Sequence, residues 1–409
     1  MGVLEKKLYL ITLSILFSGL GLGACSVFTG PVIETETATQ PIELTATSTP
    51  QATISPTSTL TPTSTPFPTA TPSPTHLPTA TLFVLQDTPL PETLAPINIV
   101  SAPDVSALAE WYVEDLTDLA WTADGSSLAA ATVDRIDLFD LKTRYKWRSL
   151  YPDYKGVRNI TFSPNGYWLV SSSRTGTDEN GYYTNLERWW GLDMKPLGLF
   201  GNQPRGLSDM EFTANSLVLF TAFSSPAEDK NSIEFWDTYS WEITRTMRVG
   251  TVLDISVSQF GEWLATSPDR YAIQIWDTRA TGKPLHTIYT SFTGAVTQAE
   301  FSPDGGTLAT GHYDGVINLW DVATGTLIRT MQADAVIESL SFSPDGSLLA
   351  TGSSYEDNLI RIWWVDSGSL LSILPGHKSG VQFLLFSPYG DMLVSGSYDG
   401  MIRVWGIRP

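Results

Sequence analysis

FSPDG occurs twice in this chain, at Phe301–Gly305 and at Phe342–Gly346, and looser copies surround it. These are WTADG from Trp121, FSPNG from Phe162, FTANS from Phe212, VSQFG from Val257 and FSPYG from Phe386. The seven anchors are 41, 50, 45, 44, 41 and 44 residues apart. A recurrence of this length marks units that cannot bury their apolar faces alone and must stack on their neighbours. The copy from Val296 shows one unit in full. Val296 to Phe301 runs as a strand into the aromatic anchor, and Ser302-Pro-Asp-Gly305 is a turn with proline and Asp-Gly chemistry. Thr307 to Gly311, Val316 to Asp321 and Thr326 to Met331 read as three further strands. Tyr313-Asp-Gly315 and Ala323-Thr-Gly325 turn the chain between them. Four short strands a, b, c and d joined by such turns predict one four-stranded antiparallel blade.

The third strand of several units ends in a Trp-Asp pair: Trp236-Asp237, Trp276-Asp277 and Trp320-Asp321, with Phe139-Asp140 as a weaker copy. Units six and seven carry Trp363-Trp364 and Trp405-Gly406, and unit two carries Trp189-Trp190-Gly191 in an unassigned register. On these residues the chain resembles WD-repeat proteins. The resemblance implies an all-β fold, a seven-bladed β-propeller of four-stranded blades within 97–409. Unit seven stops after its third strand, so Asp104 to Trp111 is expected to complete that blade. Aligning Trp121 with Phe342 places Glu110 on Met331. The family often braces a blade with a buried His–Ser/Thr–Asp–Trp network. The resemblance assigns it here to His377, a serine at 395 or 397, Asp399 and Trp405. Unit five keeps Asp314 and Trp320, with Phe292 where the histidine would stand.

Composition narrows function. Lys and Arg number 24 against 43 Asp and Glu, a net charge of −19, which repels phosphate backbones and argues against nucleic acid as partner. Trp, Tyr and Phe number 14, 15 and 17 and suit pleated, half-buried surfaces. A single cysteine, Cys25, leaves no intramolecular disulfide and no cysteine-based zinc cluster. The chain has no Gly-x-Ser-x-Gly elbow, no phosphate-binding Gly-Lys-Ser/Thr loop and no His-Glu-x-x-His pair. His312 and Asp314 supply too few ligands for a metal. Asp178-Glu-Asn-Gly181 lacks the ligand series of a calcium loop. These readings call for no enzyme activity, no cofactor and no metal.

Leu8 to Leu20 is almost wholly apolar after Glu5, Lys6 and Lys7, and it closes in Leu22-Gly23-Ala24-Cys25. This resembles a bacterial lipoprotein signal, which implies cleavage after residue 24 and acylation of Cys25 with palmitate-type chains. From Glu34 to about Pro96 the chain is dominated by Thr, Pro, Ser and Ala, as in Thr61 to Pro72. Such a stretch cannot bury a core and is expected to be a disordered, extended spacer. The expected organisation is a signal peptide at 1–24, a lipid-anchored linker at 25–96 and the propeller at 97–409. The expected location is a cell or outer membrane, outside the cytoplasm, with membrane contact through the lipid alone.

In the WD-repeat family the face bearing the d–a and b–c loops is a frequent docking surface. Four residues before each anchor the ring reads Thr117, Arg158, Ser208, Leu253, Thr297, Glu338 and Gln382, and the b–c turns add Tyr313, Glu356 and Tyr398. Units two and three are expected to have longer b–c loops, near Arg174 to Asn185 and Ser224 to Asn231. The first carries Tyr182 and Tyr183, side chains favoured as interface anchors. The expected function is a non-enzymatic scaffold that binds proteins at the cell envelope, with glycan binding as the alternative. A hydrolase at the channel mouth would need convergent His or carboxylate groups, and on the ring positions only Glu338 is acidic.

Overall fold

The computed structural model describes Leu90 and residues 94–408, except 179–180, 192, 225–230, 251, 253, 270, 281 and 291–293. The apolar N-terminal segment, Cys25 and the Thr/Pro-rich stretch lie outside the described residues, as do Leu253 and Phe292.

Seven antiparallel four-stranded sheets form a closed ring, each with strand a innermost and strand d outermost. Blade five matches the expected unit closely, with strands Val296–Phe301, Thr307–His312, Val316–Asp321 and Leu327–Gln332. In its FSPDG turn the Ser302 hydroxyl donates to Asp304 Oδ1 at 2.6 Å and accepts the Thr307 N–H at 2.9 Å. Gly305 has φ +70°, a left-handed conformation that penalises any residue with a Cβ. The WD aspartates serve the next turn: Asp321 Oδ1 accepts the N–H and the hydroxyl of Thr324, at 2.8 and 2.6 Å.

The ring closes as expected. Val105–Tyr112 forms strand d of blade seven and pairs with Met401–Ile407. The alignment of Glu110 with Met331 is corrected by one residue. Met331 lies opposite Ile317, and the equivalent partner of Ile402 is Trp111. The connection 113–115 is one residue shorter than its counterpart 333–336, and a one-residue slip exchanges the faces of a strand. Glu110 instead meets Arg403 across the sheet at 3.3 Å. Packing onto the ring also includes Leu90 and Leu94, upstream of the expected boundary at 97. Leu90 is 6 % exposed and lies with Leu141 and Met392.

In six blades the strand-c tryptophan donates its indole N–H to a hydroxyl on strand b. The pairs are Trp189 with Ser171, Trp236 with Thr221, Trp276 with Thr266, Trp320 with Thr310, Trp363 with Thr351 and Trp405 with Ser395, at 2.8–3.2 Å. Trp189, opposite Leu169, is therefore the signature tryptophan of blade two. Blade one has Phe139 and Ala130 at these places, so donor and acceptor are replaced together by apolar groups. That exchange leaves nothing unsatisfied, whereas changing one partner alone would orphan a buried polar group.

The bracing network of blade seven runs through Ser395. His377 Nε2 lies 2.7 Å from Ser395 Oγ, and His377 Nδ1 lies 3.2 Å from Asp399 Oδ2. Ser397 turns instead to the Ser379 carbonyl. Burial lowers the His377 pKa, which keeps the ring neutral. Burial pushes Asp399 up, but the bonds from His377 and the Lys378 and Met401 N–H groups outweigh it and hold the carboxylate below its ordinary range. In blade five the histidine is supplied from strand b: His312, 2 % exposed, meets Thr310 Oγ1 at 2.8 Å and the Gly294 carbonyl at 3.0 Å. Both ring nitrogens are thereby engaged in structure. Asp314 joins the turn through the Val316 N–H rather than this network.

Candidate functional site

The expected ring residues share one backbone feature. In six blades the a–b ladder skips a residue at this position: Thr117, Arg158, Ser208, Thr297, Glu338 and Gln382 are each the extra residue of a bulge. A bulge leaves its residue unpaired and re-aims its side chain. These residues therefore stand at the mouth of the channel rather than along its wall.

The structure gathers five of the sequence-derived residues around one opening. Thr297, Glu338, Gln382, Tyr313 and Tyr398, together with Phe383, line a cavity of about 440 Å³ at the mouth over blades five to seven. Tyr313 and Tyr398 are 60 % and 64 % exposed. Glu338 Oε2 and the hydroxyls of Thr117 and Thr297 are shielded from water with no hydrogen-bond partner, and burial raises the Glu338 pKa. Arg158 and Ser208 line a separate cavity of about 280 Å³ between blades two and three. Thr117 and Glu356 line neither cavity. Beside Glu356, Tyr355 is 76 % exposed in the same b–c turn. The b–c turn of blade six, 354–359, is three residues longer than 313–315 in blade five and 398–400 in blade seven, so the exposed tyrosine does not stand at the aligned position.

The long b–c segment of blade two is a ribbon rather than a loop, a correction to the sequence reading. Strands Trp168–Asp178 and Gly181–Trp190 continue the blade past its neighbours, pairing Thr175 with Tyr183 and Asp178 with Gly181. Tyr183 is half-buried, and the Tyr182 side chain lies outside the described residues. In blade three, residues 225–230 are likewise outside them.

The channel wall is more acidic than the ring positions suggested. Asp118, Asp209, Glu211, Asp254 and Glu300, three positions or one before the anchors, line a cavity of about 400 Å³. Each innermost strand exposes N–H groups that no neighbouring strand can satisfy. Side chains of the preceding blade fill that role. Asp118 accepts the Ile160 N–H at 2.7 Å, Glu211 that of Val257 at 2.8 Å, Asp254 that of Ala299 at 3.2 Å, and Glu300 that of Phe342 at 3.1 Å. Gln298 does the same for Leu340 without a charge, at 2.7 Å. Desolvation pushes Asp118 and Glu300 up to about 8 and Asp209 to about 6, and raises Glu211 and Asp254 well above the ordinary range. Among the described residues, no group of three or more His, Cys, Asp or Glu is placed to hold a metal ion.

Comparison with known proteins agrees with this architecture. A family model described as "WD domain, G-beta repeat" matches residues 147–177, 282–321, 325–363 and 368–406. Autophagy-related protein 16 of Arabidopsis thaliana is 27 % identical over 50 % of this chain and 39 % of its own length. Small ribosomal subunit protein RACK1z of the same plant is 32 % identical over 30 % of this chain and 42 % of its own. The chain thus spans under half the length of these two relatives. A guanine nucleotide-binding protein subunit beta from Nicotiana plumbaginifolia is 25 % identical over 77 % of this chain and 85 % of its own length. With four strands in each of seven sheets and six tryptophan–hydroxyl pairs, the chain is a seven-bladed β-propeller, and four of its segments match the WD40 repeat.

Proposed function

We propose that this protein is a non-enzymatic scaffold that binds a protein partner at the channel mouth, displayed outside the cytoplasm by a lipid on Cys25. The observation that carries the reading is the opening framed by Tyr313 and Tyr398 around the unpartnered carboxylate of Glu338. Large amphipathic rings beside a polar group that lacks a partner are what a docking surface offers. The described chain also begins on the opposite face. Leu90 and Leu94 line a cavity with the a–b and c–d turns of blade one, at Asp124 and Leu141. The acidic channel wall fits a structural role, because its carboxylates with shown partners hold backbone N–H groups of the next blade.

Two measurements test this. Cross-linking capture from envelope extracts with the full chain should retain a protein that is lost when Tyr313 and Tyr398 become alanine. A second variant, Arg158→Ala with Tyr182→Ala and Tyr183→Ala, asks whether blades two and three share the contact. Capture unchanged by both variants rejects the mouth as the docking surface. Cys25→Ala should move the protein from the membrane to the soluble fraction and abolish palmitate labelling. Retention of both rejects the lipid anchor.

A further inference from the structure

The cavity between blades two and three differs in chemistry from the rest of the molecule. In a chain of net charge −19, none of the described residues lining it is acidic. Arg158 and Arg174 line it, Leu207 is the single apolar side chain among the described lining residues, and Arg158 is exposed and makes no ion pair among the described residues. Ser173 also lines it, is 2 % exposed, and its hydroxyl meets no partner among the described residues. The Ser173 proton is therefore free for an occupant of the cavity.

The other hydroxyls are differently disposed. Ser172 Oγ donates to Asn159 Oδ1 at 3.1 Å, Thr184 Oγ1 to the Arg205 carbonyl at 2.7 Å, and Ser208 Oγ to the Val252 carbonyl at 2.7 Å. Ser172 Oγ also accepts the Asn159 N–H and Thr184 Oγ1 the Leu207 N–H, both at 3.1 Å, and Ser208 Oγ lies 3.0 Å from Ser224 Oγ, so each oxygen has at most one lone pair left for a ligand. The cavity therefore presents donors at Arg158 and Ser173, and acceptors at Ser172, Thr184 and Ser208. A ligand that satisfies both sets carries an oxyanion and also hydroxyl donors. Inorganic phosphate at neutral pH fits poorly, with few protons for the acceptors and a double charge that the acidic molecule repels. A cavity of about 280 Å³ has room for one small ring.

We propose that this cavity binds a singly charged acidic sugar, its carboxylate on Arg158 and Ser173 and its hydroxyls on Ser172, Thr184 and Ser208. This goes beyond the scaffold reading and does not require that the mouth recruits a protein. Calorimetric titration of the full chain in mild detergent with D-glucuronate, D-glucose and inorganic phosphate tests it. D-glucuronate should bind saturably, at least tenfold tighter than D-glucose. Arg158→Gln should weaken it by about tenfold or more, the usual effect of losing a charge-assisted bond. Ser173→Ala should weaken it less, and its melting temperature reports whether the buried site remains folded. Arg158 is exposed, so its variant stays informative if Ser173→Ala does not fold. Equal binding of glucose, equal binding of phosphate, absence of glucuronate binding, or indifference to Arg158→Gln each overturns the assignment.

Discussion

The indole N–H of Trp405 donates to Ser395 Oγ at 2.8 Å, and the same oxygen lies 2.7 Å from His377 Nε2. One hydroxyl thus accepts from the signature tryptophan and donates to a neutral histidine. Ser395→Ala orphans both groups, since Trp405 is 1 % exposed. The expected cost is about 2–3 kcal/mol in urea unfolding. Adding Trp405→Phe reproduces the Phe139 and Ala130 pair of blade one, and the double variant should lose about 1 kcal/mol less than the sum of the single losses. Strict additivity would show that the two groups do not interact.

Glu300 should make the protein less stable as pH rises. Its folded pKa is about 8, above the ordinary ~4.3 of an unfolded chain. A group raised in this way leaves stability intact below about pH 4 and reduces it progressively as pH climbs through 8. Glu300→Gln keeps an acceptor for the Phe342 N–H, as Gln298 already does for Leu340. The variant should match the parent at pH 4 and exceed it by about 1–2 kcal/mol at pH 8.5 in thermal melts, allowing for the water that still reaches the channel. A constant difference across that range would contradict the assignment.

Leu90→Ala tests whether the segment before the ring contributes to the fold. Leu90 is 6 % exposed beside Leu141 and Met392, at the edge of the molecule rather than in its centre. Its truncation should cost about 1–2 kcal/mol, below the range for a central leucine. Unchanged unfolding would mean that residue 90 adds nothing to stability.

Tyr313→Ala and Tyr398→Ala should each weaken partner binding by roughly tenfold or more if they anchor the contact, while Tyr239→Ala should not. Tyr239 is 97 % exposed in the c–d turn of blade three, on the face away from the mouth. Equal losses at all three positions would indicate a general surface effect.

The ring was legible because its signals are local. Turn chemistry at Asp304-Gly305 and the Trp-Asp endings of strand c each occupy a few consecutive residues. The missing fourth strand of unit seven also pointed to Asp104–Trp111, one residue from the strand observed at Val105–Tyr112. What escaped depends on neighbours distant in the chain. Nothing local distinguishes Asp118, whose oxygen meets the N–H of Ile160 in the next blade, from an exposed aspartate. The bulge that turns Arg158 and Glu338 away from the wall leaves no composition signal either. The turn signal Tyr313-Asp314-Gly315 directly after it hides the role of His312, which ends strand b and bonds Thr310 where the family's histidine would come from elsewhere. The blade-two extension resembled a loop because length alone does not separate a ribbon from one.

Strand d of blade seven comes from one end of the ring and strand c from the other, so Val105–Tyr112 and Met401–Ile407 form the seam of the circle. Under tension applied through the segment before Leu90, the load reaches this seam before any other blade. The apolar contacts of Leu90 and Leu94 take the first strain, and the ladder from Val105–Ile407 to Tyr112–Met401 takes the next. A molecule held by its N-terminus against flow would therefore open at blade seven, where His377, Ser395, Asp399 and Trp405 reinforce the sheet.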